Sequence, residues 1–415
     1  MFLNLRPFYI LCLSALCLSL LCLSVLCLPF HAALSQTDNQ TETLHERLLV
    51  LDSHLDTPAV LARPGFDITR SHDALSDYAQ VDLPRMNKGG LDGGFWVSYT
   101  PQGPLTAEGY AAAYHHAVAR ADIIDAMLAD HPQDFAEARS VAEIMAAGQA
   151  GKKIVLKSIE NAYPLGTNIN RLDMFYDRGV RMLGIVHFKN NQFADSSTDP
   201  DGPRWHGLSP AGRALVERAN RLGMIIDASH ASDTVLAQLI ELSKTPVVLS
   251  HSGAKKLYDH PRNVPDHLLV KLAESGGVIQ INSFPAYLKK PAEDAERADK
   301  LTALFAEQRE NPAQTVAAVQ AFIAKRRALD HAHPKDHADF ELVMDHLLHV
   351  LDLIGPDHVG IGLDWDGGGG VNGLHDVAGL QKITDRLLQA GYSVEDIEKI
   401  WSGNLLRLLA TATRN

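Results

Sequence analysis

Short apolar runs alternate with longer amphipathic stretches along most of the chain after residue 48. Eight of the runs are continuous, mostly rich in Val, Ile and Leu, and only six to eight residues long. Such runs are typical of strands that are buried on both faces of a parallel sheet. We therefore predict eight strands, at residues 48–54, 94–99, 153–160, 181–187, 224–230, 246–251, 277–282 and 358–364.

The stretches between these runs carry helix signals. Ser209 before Pro210 is a favourable N-cap and first-turn pair, and Gly223 follows the helical pattern of residues 209–221 as a stop signal. Similar patterns span 232–244, 265–275 and 393–410. Strands that alternate with helices predict an α/β fold of the (β/α)8, or TIM-type, barrel class. A doubly wound parallel sheet is the alternative.

Two regions exceed a minimal barrel. Residues 104–152 are predicted to add two helices between strands two and three, and the charged residues 285–350 to add helices between strands seven and eight. The second region could be a lid over the barrel mouth or a solvated helical insertion. No break in composition marks a separate domain, so residues 36–415 are predicted to form a single metallo-hydrolase barrel domain.

The first 35 residues differ from the rest. Arg6 precedes a long uncharged apolar run, and the stretch A-A-L-S-Q (Ala32 to Gln36) follows it. This order is typical of a secretory signal peptide. We expect cleavage of residues 1–35, export to the periplasm or the medium, and no stable membrane anchor afterwards. A retained anchor helix is the alternative.

Composition restricts the chemistry. All four cysteines, at positions 12, 17, 22 and 27, lie in the N-terminal segment, so the mature chain is expected to contain no thiolate and no disulfide. Any metal must then be bound by His, Asp and Glu. The net charge of −12 and the lack of a basic patch argue against nucleic acid as a partner.

Six of the eight predicted strands end in residues that can bind a metal ion. Because the carboxyl ends of barrel strands meet at one rim, we expect these side chains to share a polar site. The strand-end residues are His54 and Asp56, Glu160, His187, His230, His251, and Asp364 with Asp366.

Imidazole and carboxylate ligands without thiolate favour zinc, with cobalt or manganese as substitutes. Five or more candidate ligands exceed the needs of one open ion, whereas two ions about 3.5–4 Å apart can share a bridging carboxylate. His54 and Asp56 are two residues apart, so on a strand they point to the same face and are expected to bind one ion.

Several motifs together resemble the membrane dipeptidase (renal dipeptidase) family of zinc peptidases, within the amidohydrolase-like barrels. They occur in the family order from about residue 48 onward. The matching pieces are D-S-H-L-D-T (52–57), S-I-E-N-A (158–162), L-G-I-V-H-F (183–188), L-S-P-A-G-R-A-L-V (208–216), L-G-M-I-I-D-A-S-H (222–230), L-S-H-S (249–252), D-H-P-R-N-V-P-D (259–266) and H-V-G-I-G-L-D-W-D-G (358–367).

The resemblance implies a role for each site residue. His54 and Asp56 would bind one zinc ion and His230 and His251 the other, with Glu160 and a water or hydroxide bridging the two. Among the remaining residues, the expected roles are contact with the scissile carbonyl for His187, binding of the substrate's C-terminal carboxylate for Arg262, and proton transfer near the bridging water and the substrate amine for Asp364.

The implied function is hydrolysis of dipeptides by the bridging hydroxide, with tolerance of a D-residue at the C-terminal position, in an enzyme that could be a homodimer. The alternatives are a related two-metal hydrolase that acts on another amide, a lactam or an ester, and a non-enzymatic binding protein. One departure concerns the substrate pocket: the family often carries a tyrosine near strand seven, where Phe284 stands in this chain.

Overall fold

The computed structural model describes residues 44–413, and the chain from Leu49 onward forms one compact unit. Of the residues before Leu49, only 44–48 are described, and residues 44–47 are helical. The predicted signal peptide at residues 1–35 lies outside the described residues. Among residues 44–413, none of the helices combines the length and the apolar character needed to cross a bilayer.

The eight predicted strands all form, with ends that shift by a few residues. Each strand pairs in parallel with the next. The second and third strands pair along the whole of residues 93–99, which places Tyr99 opposite Glu160. The bounds of the eight strands are β1 (Leu51–Leu55), β2 (Gly93–Tyr99), β4 (Lys153–Glu160), β5 (Val180–Gly184), β6 (Ile225–Asp227), β7 (Val248–Ala254), β9 (Val278–Ile281) and β10 (Val359–Ile361). Two short strands were not predicted: β3 (Phe135–Glu137) pairs with β4, and β8 (Asn263–Val264) pairs with β7.

The first and last strands of this order come together and nearly close the barrel. Leu55 forms a parallel bridge with Trp365, and the backbone N–H of Asp56 donates to the carbonyl of Trp365 at 2.8 Å. The two edge strands of an open doubly wound sheet would lie far apart. The (β/α)8 prediction is therefore confirmed and the doubly wound alternative is wrong.

Helices follow the strands around the barrel. Their bounds are α1 (Thr57–Leu61), α2 (Leu83–Gly89), α3 (Ala107–Asp130), α4 (Val141–Gln149), α5 (Arg171–Asp177), α6 (Pro210–Leu222), α7 (Asp233–Leu242), α8 (Asp266–Glu274), α9 (Pro285–Leu288), α10 (Ala295–Glu310), α11 (Val316–Ala332), α12 (Phe340–Ile354), α13 (Gln381–Gln389), α14 (Val394–Glu398) and α15 (Asn404–Ala412). Short 3₁₀ turns span Tyr163–Leu165, Pro356–His358 and Val377–Gly379.

The helix signals in the sequence act as predicted at α6. The Ser209 side chain accepts a hydrogen bond from Gly212 N–H, and Gly223 ends the helix in the left-handed region at φ 77°. The predicted helix 393–410 is instead interrupted, because a π-helical turn at Lys399–Gly403 separates α14 from α15. Hydrophobic periodicity does not reveal such a local widening.

The apolar core lies inside the barrel, towards the beginnings of the strands. Side chains from seven of the barrel strands form one buried cluster with the apolar face of α15. This helix therefore packs against the end of the barrel where the strands begin, opposite their carboxyl ends. The cluster includes Leu51, Phe95, Ile154, Met182, Ile225, Val248, Val278, Leu405, Leu408 and Leu409.

The two additions lie where the sequence predicted them. Residues 104–152 form α3 and α4, and residues 285–350 contribute α9 to α12. Among the helices of the second region, α11 has no buried residue. The Tyr78 hydroxyl donates to the Asp330 carboxylate at 2.6 Å, which ties this insertion to the loop that follows α1.

Candidate functional site

The predicted strand-end residues converge at one rim of the barrel. His54 lies in β1, Glu160 ends β4, and His251 lies in β7. Asp56 follows β1 directly, and His230 lies in the loop just after β6. Each of these residues is buried, with Asp56 the most accessible at 7% exposed. Parallel strands bring their carboxyl ends together, so residues that are up to about two hundred positions apart in sequence become neighbours.

One group of ligand atoms surrounds the Oε1 atom of Glu160. The Nε2 atom of His230 lies 3.1 Å from Oε1, and that of His251 lies 3.5 Å from it. The two Nε2 atoms are 3.0 Å apart. A tetrahedral ion with ligand bonds of about 2.0–2.1 Å separates its ligand atoms by roughly 3.3 Å, so this spacing suits a single cation.

A second group surrounds the other oxygen of the same carboxylate. The Nε2 atom of His54 lies 3.6 Å from Glu160 Oε2 and 3.3 Å from Asp56 Oδ2. Asp364 also places a carboxylate oxygen close to His54 and Asp56. Glu160 therefore stands between two sets of potential ligands, with one oxygen facing each set. This arrangement is consistent with a binuclear metal site.

The charge states of the histidines and of Glu160 favour a cation at the centre of the cluster. Burial holds the pKa of His230 and His251 well below the usual value, with nearby positive groups adding to the shift, so both rings are neutral. Burial also raises the pKa of Glu160, while His54 opposes this shift. In the described part of the chain, Oε1 of Glu160 receives no hydrogen bond although it is buried. A buried acceptor without a donor is costly, and a cation would satisfy it.

His54 responds differently from the other imidazoles. Burial alone would lower its pKa, but the carboxylates of Glu160 and Asp56 outweigh burial and raise the pKa well above the usual value. The carboxylates around His54 therefore favour positive charge at this position. A divalent cation held by these ligands would supply such charge.

His187 lies beside the group around Oε1. Its Nε2 atom is 3.7 Å from Oε1 of Glu160, and its ring contacts those of Tyr99 and Phe188 at centroid distances of 4.6 and 3.9 Å. Burial lowers the pKa of His187 well below its usual value, and the positive charge of Arg262 adds to the effect. The result is a neutral imidazole that is held in place by aromatic contacts.

Arg262 lies deep beneath the same side of the site and is 1% exposed. Its terminal nitrogens donate to backbone carbonyls of Ser229 and His251, the latter at 3.0 Å. Its Nε–H is buried and, within the residues described, has no hydrogen-bond acceptor. The guanidinium is therefore fixed in orientation, and Nε remains able to donate.

Asp364 begins a strained turn after β10. Asp364 and Asp366 adopt φ angles of 62° and 65°, values that residues with a side chain seldom adopt. A Cβ atom at Gly367 would overlap the carboxylates of both Asp56 and Asp364. Burial raises the pKa of Asp364 well above its usual value. The D-W-D-G sequence thus requires glycine as its fourth residue.

Two tyrosines of the site, Tyr99 and Tyr287, were not predicted from the sequence. Tyr99 ends β2 opposite Glu160, and burial together with the charges of Glu160 and Asp56 raises the pKa of its phenol. Tyr287, in α9, stacks on Phe284 with centroids 4.4 Å apart, and Arg262 lies over its ring at 5.1 Å. Tyr99 stands at a strand end like the predicted residues, but a search restricted to metal ligands passes over tyrosine.

The chain is similar to known proteins over most of its length. Residues 38–415 match the family described as "Membrane dipeptidase (Peptidase family M19)". The chain is 33% identical over 335 residues to dipeptidase tcpJ of Claviceps purpurea, a match that covers 79% of this chain and 68% of that protein.

Two solved structures share the fold over nearly their whole length. The probable dipeptidase PvdM from Pseudomonas aeruginosa is 32% identical, with a TM-score of 0.77, and the match covers 92% of this chain and 99% of that one. A metallopeptidase from Rhodobacter sphaeroides, bound to a phosphinate mimic of the dipeptide L-Ala-D-Ala, is 25% identical, with a TM-score of 0.69 and coverage of 88% and 99%.

Gly367→Ala should lower the affinity for zinc by about tenfold or more, because the new methyl group would displace two carboxylates of the site. Competition with a chromophoric chelator measures this affinity. Gly148→Ala is the matched control, since Gly148 lies in α4 with no atom within 4 Å of the added carbon. Equal zinc affinity in the two variants would contradict the close contact at Gly367.

Proposed function

This chain belongs to the membrane dipeptidase family and is a metallo-dipeptidase, and we propose that it cleaves dipeptides at a centre of two zinc ions. The proposed ligands are His54, Asp56, Glu160, His230 and His251. The observation that carries the proposal is the position of Glu160, whose two oxygens face separate sets of ligand atoms.

The donor set supports zinc as the metal. The described site offers only imidazole nitrogens and carboxylate oxygens, at spacings that suit bonds of about 2.0–2.1 Å. Cobalt or manganese could occupy the same ligands. When bound, two such ions supply Lewis acidity, which ionises a water near neutral pH and polarises a carbonyl.

His187 is proposed to stabilise the negative charge that develops on the substrate's carbonyl oxygen. A neutral imidazole can donate its N–H to that oxygen as the tetrahedral centre forms. The rings of Tyr99 and Phe188 fix the orientation of His187, so little reorganisation is needed during the reaction.

Asp364 is proposed to carry a proton from the attacking water to the leaving nitrogen. Its carboxylate lies within the cluster that contains His54 and Asp56, which is where the water would be held. A carboxyl group in hydrogen-bond reach of both reacting atoms can serve first as a base and then as an acid.

Arg262 is proposed to select substrates with a free C-terminus. The unpaired Nε–H and the remaining terminal N–H groups of the guanidinium can donate to a carboxylate. Because Arg262 lies at a fixed distance from the metal centre, a substrate whose C-terminal carboxylate binds there would have room for one residue after the scissile bond. Short peptides, and dipeptides above all, would then be the substrates.

The chirality of the second residue is part of the proposal. The related metallopeptidase of Rhodobacter sphaeroides was solved with a mimic of L-Ala-D-Ala, a dipeptide with a D-residue at its C-terminal position. By analogy, we propose that this chain tolerates a D-residue at that position.

Glu160→Ala should remove both metal ions, whereas His54→Ala should remove only one, because the Glu160 carboxylate faces both ligand groups and His54 belongs to one of them. Elemental analysis of protein dialysed against zinc measures the metal content per chain. We expect about two ions in the unmodified protein, about one in His54→Ala and close to none in Glu160→Ala. Retention of two ions by Glu160→Ala would refute the bridging role.

Arg262→Lys should raise KM for dipeptides with a free carboxylate by about tenfold or more, because lysine cannot reproduce the fixed guanidinium. Hydrolysis of C-terminally amidated analogues, already slow, should change little. Arg204→Lys, at an exposed arginine, is the matched control. The same loss on free and amidated substrates would rule out carboxylate recognition by Arg262.

For localisation, we propose that residues 1–35 direct export and are then removed, and that the mature enzyme works in the periplasm or outside the cell, as a monomer or a homodimer. The support is the order of Arg6, the apolar run and the small-residue stretch. N-terminal sequencing of the protein from host envelope and medium fractions should find a start close to residue 36. An intact Met1 in the membrane fraction would favour a retained anchor.

A further inference from the structure

Beneath the proposed ligands lies a buried hydroxyl that contacts two imidazoles at once. We propose that Ser250, held by Asp227, determines which ring nitrogen of His54 and of His251 faces the metal centre. This inference rests on the proposed two-metal function and adds two positioning residues to it, neither of which would touch the ions or the substrate.

The contacts of the Ser250 hydroxyl define the arrangement. Its Oγ atom lies 2.6 Å from Asp227 Oδ2, 2.9 Å from the Nδ1 atom of His251 and 3.3 Å from the Nδ1 atom of His54. The Ser229 hydroxyl is a fourth neighbour at 3.1 Å, and its own hydrogen goes to Asp227 Oδ1. All five side chains are buried, with Asp227 the most accessible at 5% exposed. Water therefore does not compete for these contacts.

The surroundings of Asp227 decide which way the hydroxyl hydrogen points. Its other oxygen, Oδ1, accepts hydrogen bonds from Ser229 N–H at 3.0 Å, from the Ser229 hydroxyl at 2.6 Å and from Ser250 N–H at 2.9 Å. These three donors occupy Oδ1, so Oδ2 is the Asp227 oxygen that faces the Ser250 hydroxyl. Ser250 donates its hydrogen to Asp227 Oδ2 at 2.6 Å.

Once its hydrogen is committed, the Ser250 oxygen can only accept from the two rings. A hydroxyl oxygen has two lone pairs, and two Nδ1 atoms approach it. Both Nδ1 atoms must then carry hydrogen, which leaves the lone pair of each neutral ring on Nε2. Those Nε2 atoms face Glu160, at 3.6 Å for His54 and 3.5 Å for His251.

The Ser250 hydroxyl thus orients one histidine ligand for each of the two proposed ions, His54 for one and His251 for the other. A metal-binding histidine commonly donates its second nitrogen to an acceptor that fixes the ring and its tautomer. Here the acceptor is shared between β1 and β7, so the two ligand groups are oriented together. His230 differs, because its buried Nδ1 has no partner among the described residues.

Asp227→Asn is the sharpest test because it conserves size. The three donors around Oδ1 hold the amide oxygen at that position, so the amide NH₂ would face Ser250. The Ser250 hydrogen would then turn towards an imidazole and force that ring to carry its hydrogen on Nε2. We expect zinc affinity to fall by about tenfold to a hundredfold, and Ser250→Ala to weaken it similarly.

Competition with a chromophoric chelator measures zinc affinity, and NMR of ¹⁵N-histidine-labelled, zinc-loaded protein shows which ring nitrogen carries hydrogen. Ser53→Ala is the matched control: its buried hydroxyl donates to the backbone carbonyls of Ser250 and Ile361, at 2.6 and 3.3 Å, and among the described residues it has no hydrogen bond to an imidazole. We expect this control to keep the affinity of the unmodified protein.

The outcomes separate this inference from the proposed function. Failure of the unmodified protein to bind two zinc ions would overturn the two-metal proposal itself. If it binds two ions, but Asp227→Asn and Ser250→Ala bind zinc as tightly and with unchanged ring protonation, only the positioning role is refuted. An equal loss of affinity in Ser53→Ala would likewise refute it, because it would show a general effect of buried hydroxyls in this layer.

Discussion

The site depends on one buried carboxylate that two groups of ligands share. Glu160 ends β4 with Oε1 facing His230 and His251 and Oε2 facing His54, and no donor in the described chain reaches Oε1. Burying that charge would be unfavourable without compensation, because a carboxylate loses its hydration inside the protein. The cluster is therefore arranged for cations, and metal binding and stability of this rim are expected to be coupled.

The two ends of the barrel divide the demands of stability and chemistry. At the beginnings of the strands, apolar side chains pack against α15 and form a continuous core. The opposite rim contains buried carboxylates, neutral histidines and two aspartates, Asp364 and Asp366, with left-handed backbone conformations. Strain of this kind persists only where the surrounding structure holds it, and the close contact at Gly367 shows how little space remains.

Much of this architecture was accessible from the sequence. The eight barrel strands were predicted because each is a short apolar run, and the convergence of His54, Glu160 and His251 followed from the parallel arrangement of their strands. The roles of the individual residues remain proposals.

Two kinds of element were not predicted from the sequence. The strands β3 and β8 were missed because runs of three and two residues carry no pattern, and the π-turn before α15 was missed because hydrophobic periodicity does not reveal it. The contact between Ser250 and two imidazoles could not be predicted, since serine is common near turns and only the folded register brings these atoms together.

Whether Glu160 lies between two bound cations can be decided by anomalous diffraction at the zinc absorption edge, from crystals grown with zinc. We expect two peaks about 3.5–4 Å apart, one on each side of the Glu160 carboxylate. A single peak, or peaks that do not contact Glu160, would contradict this arrangement.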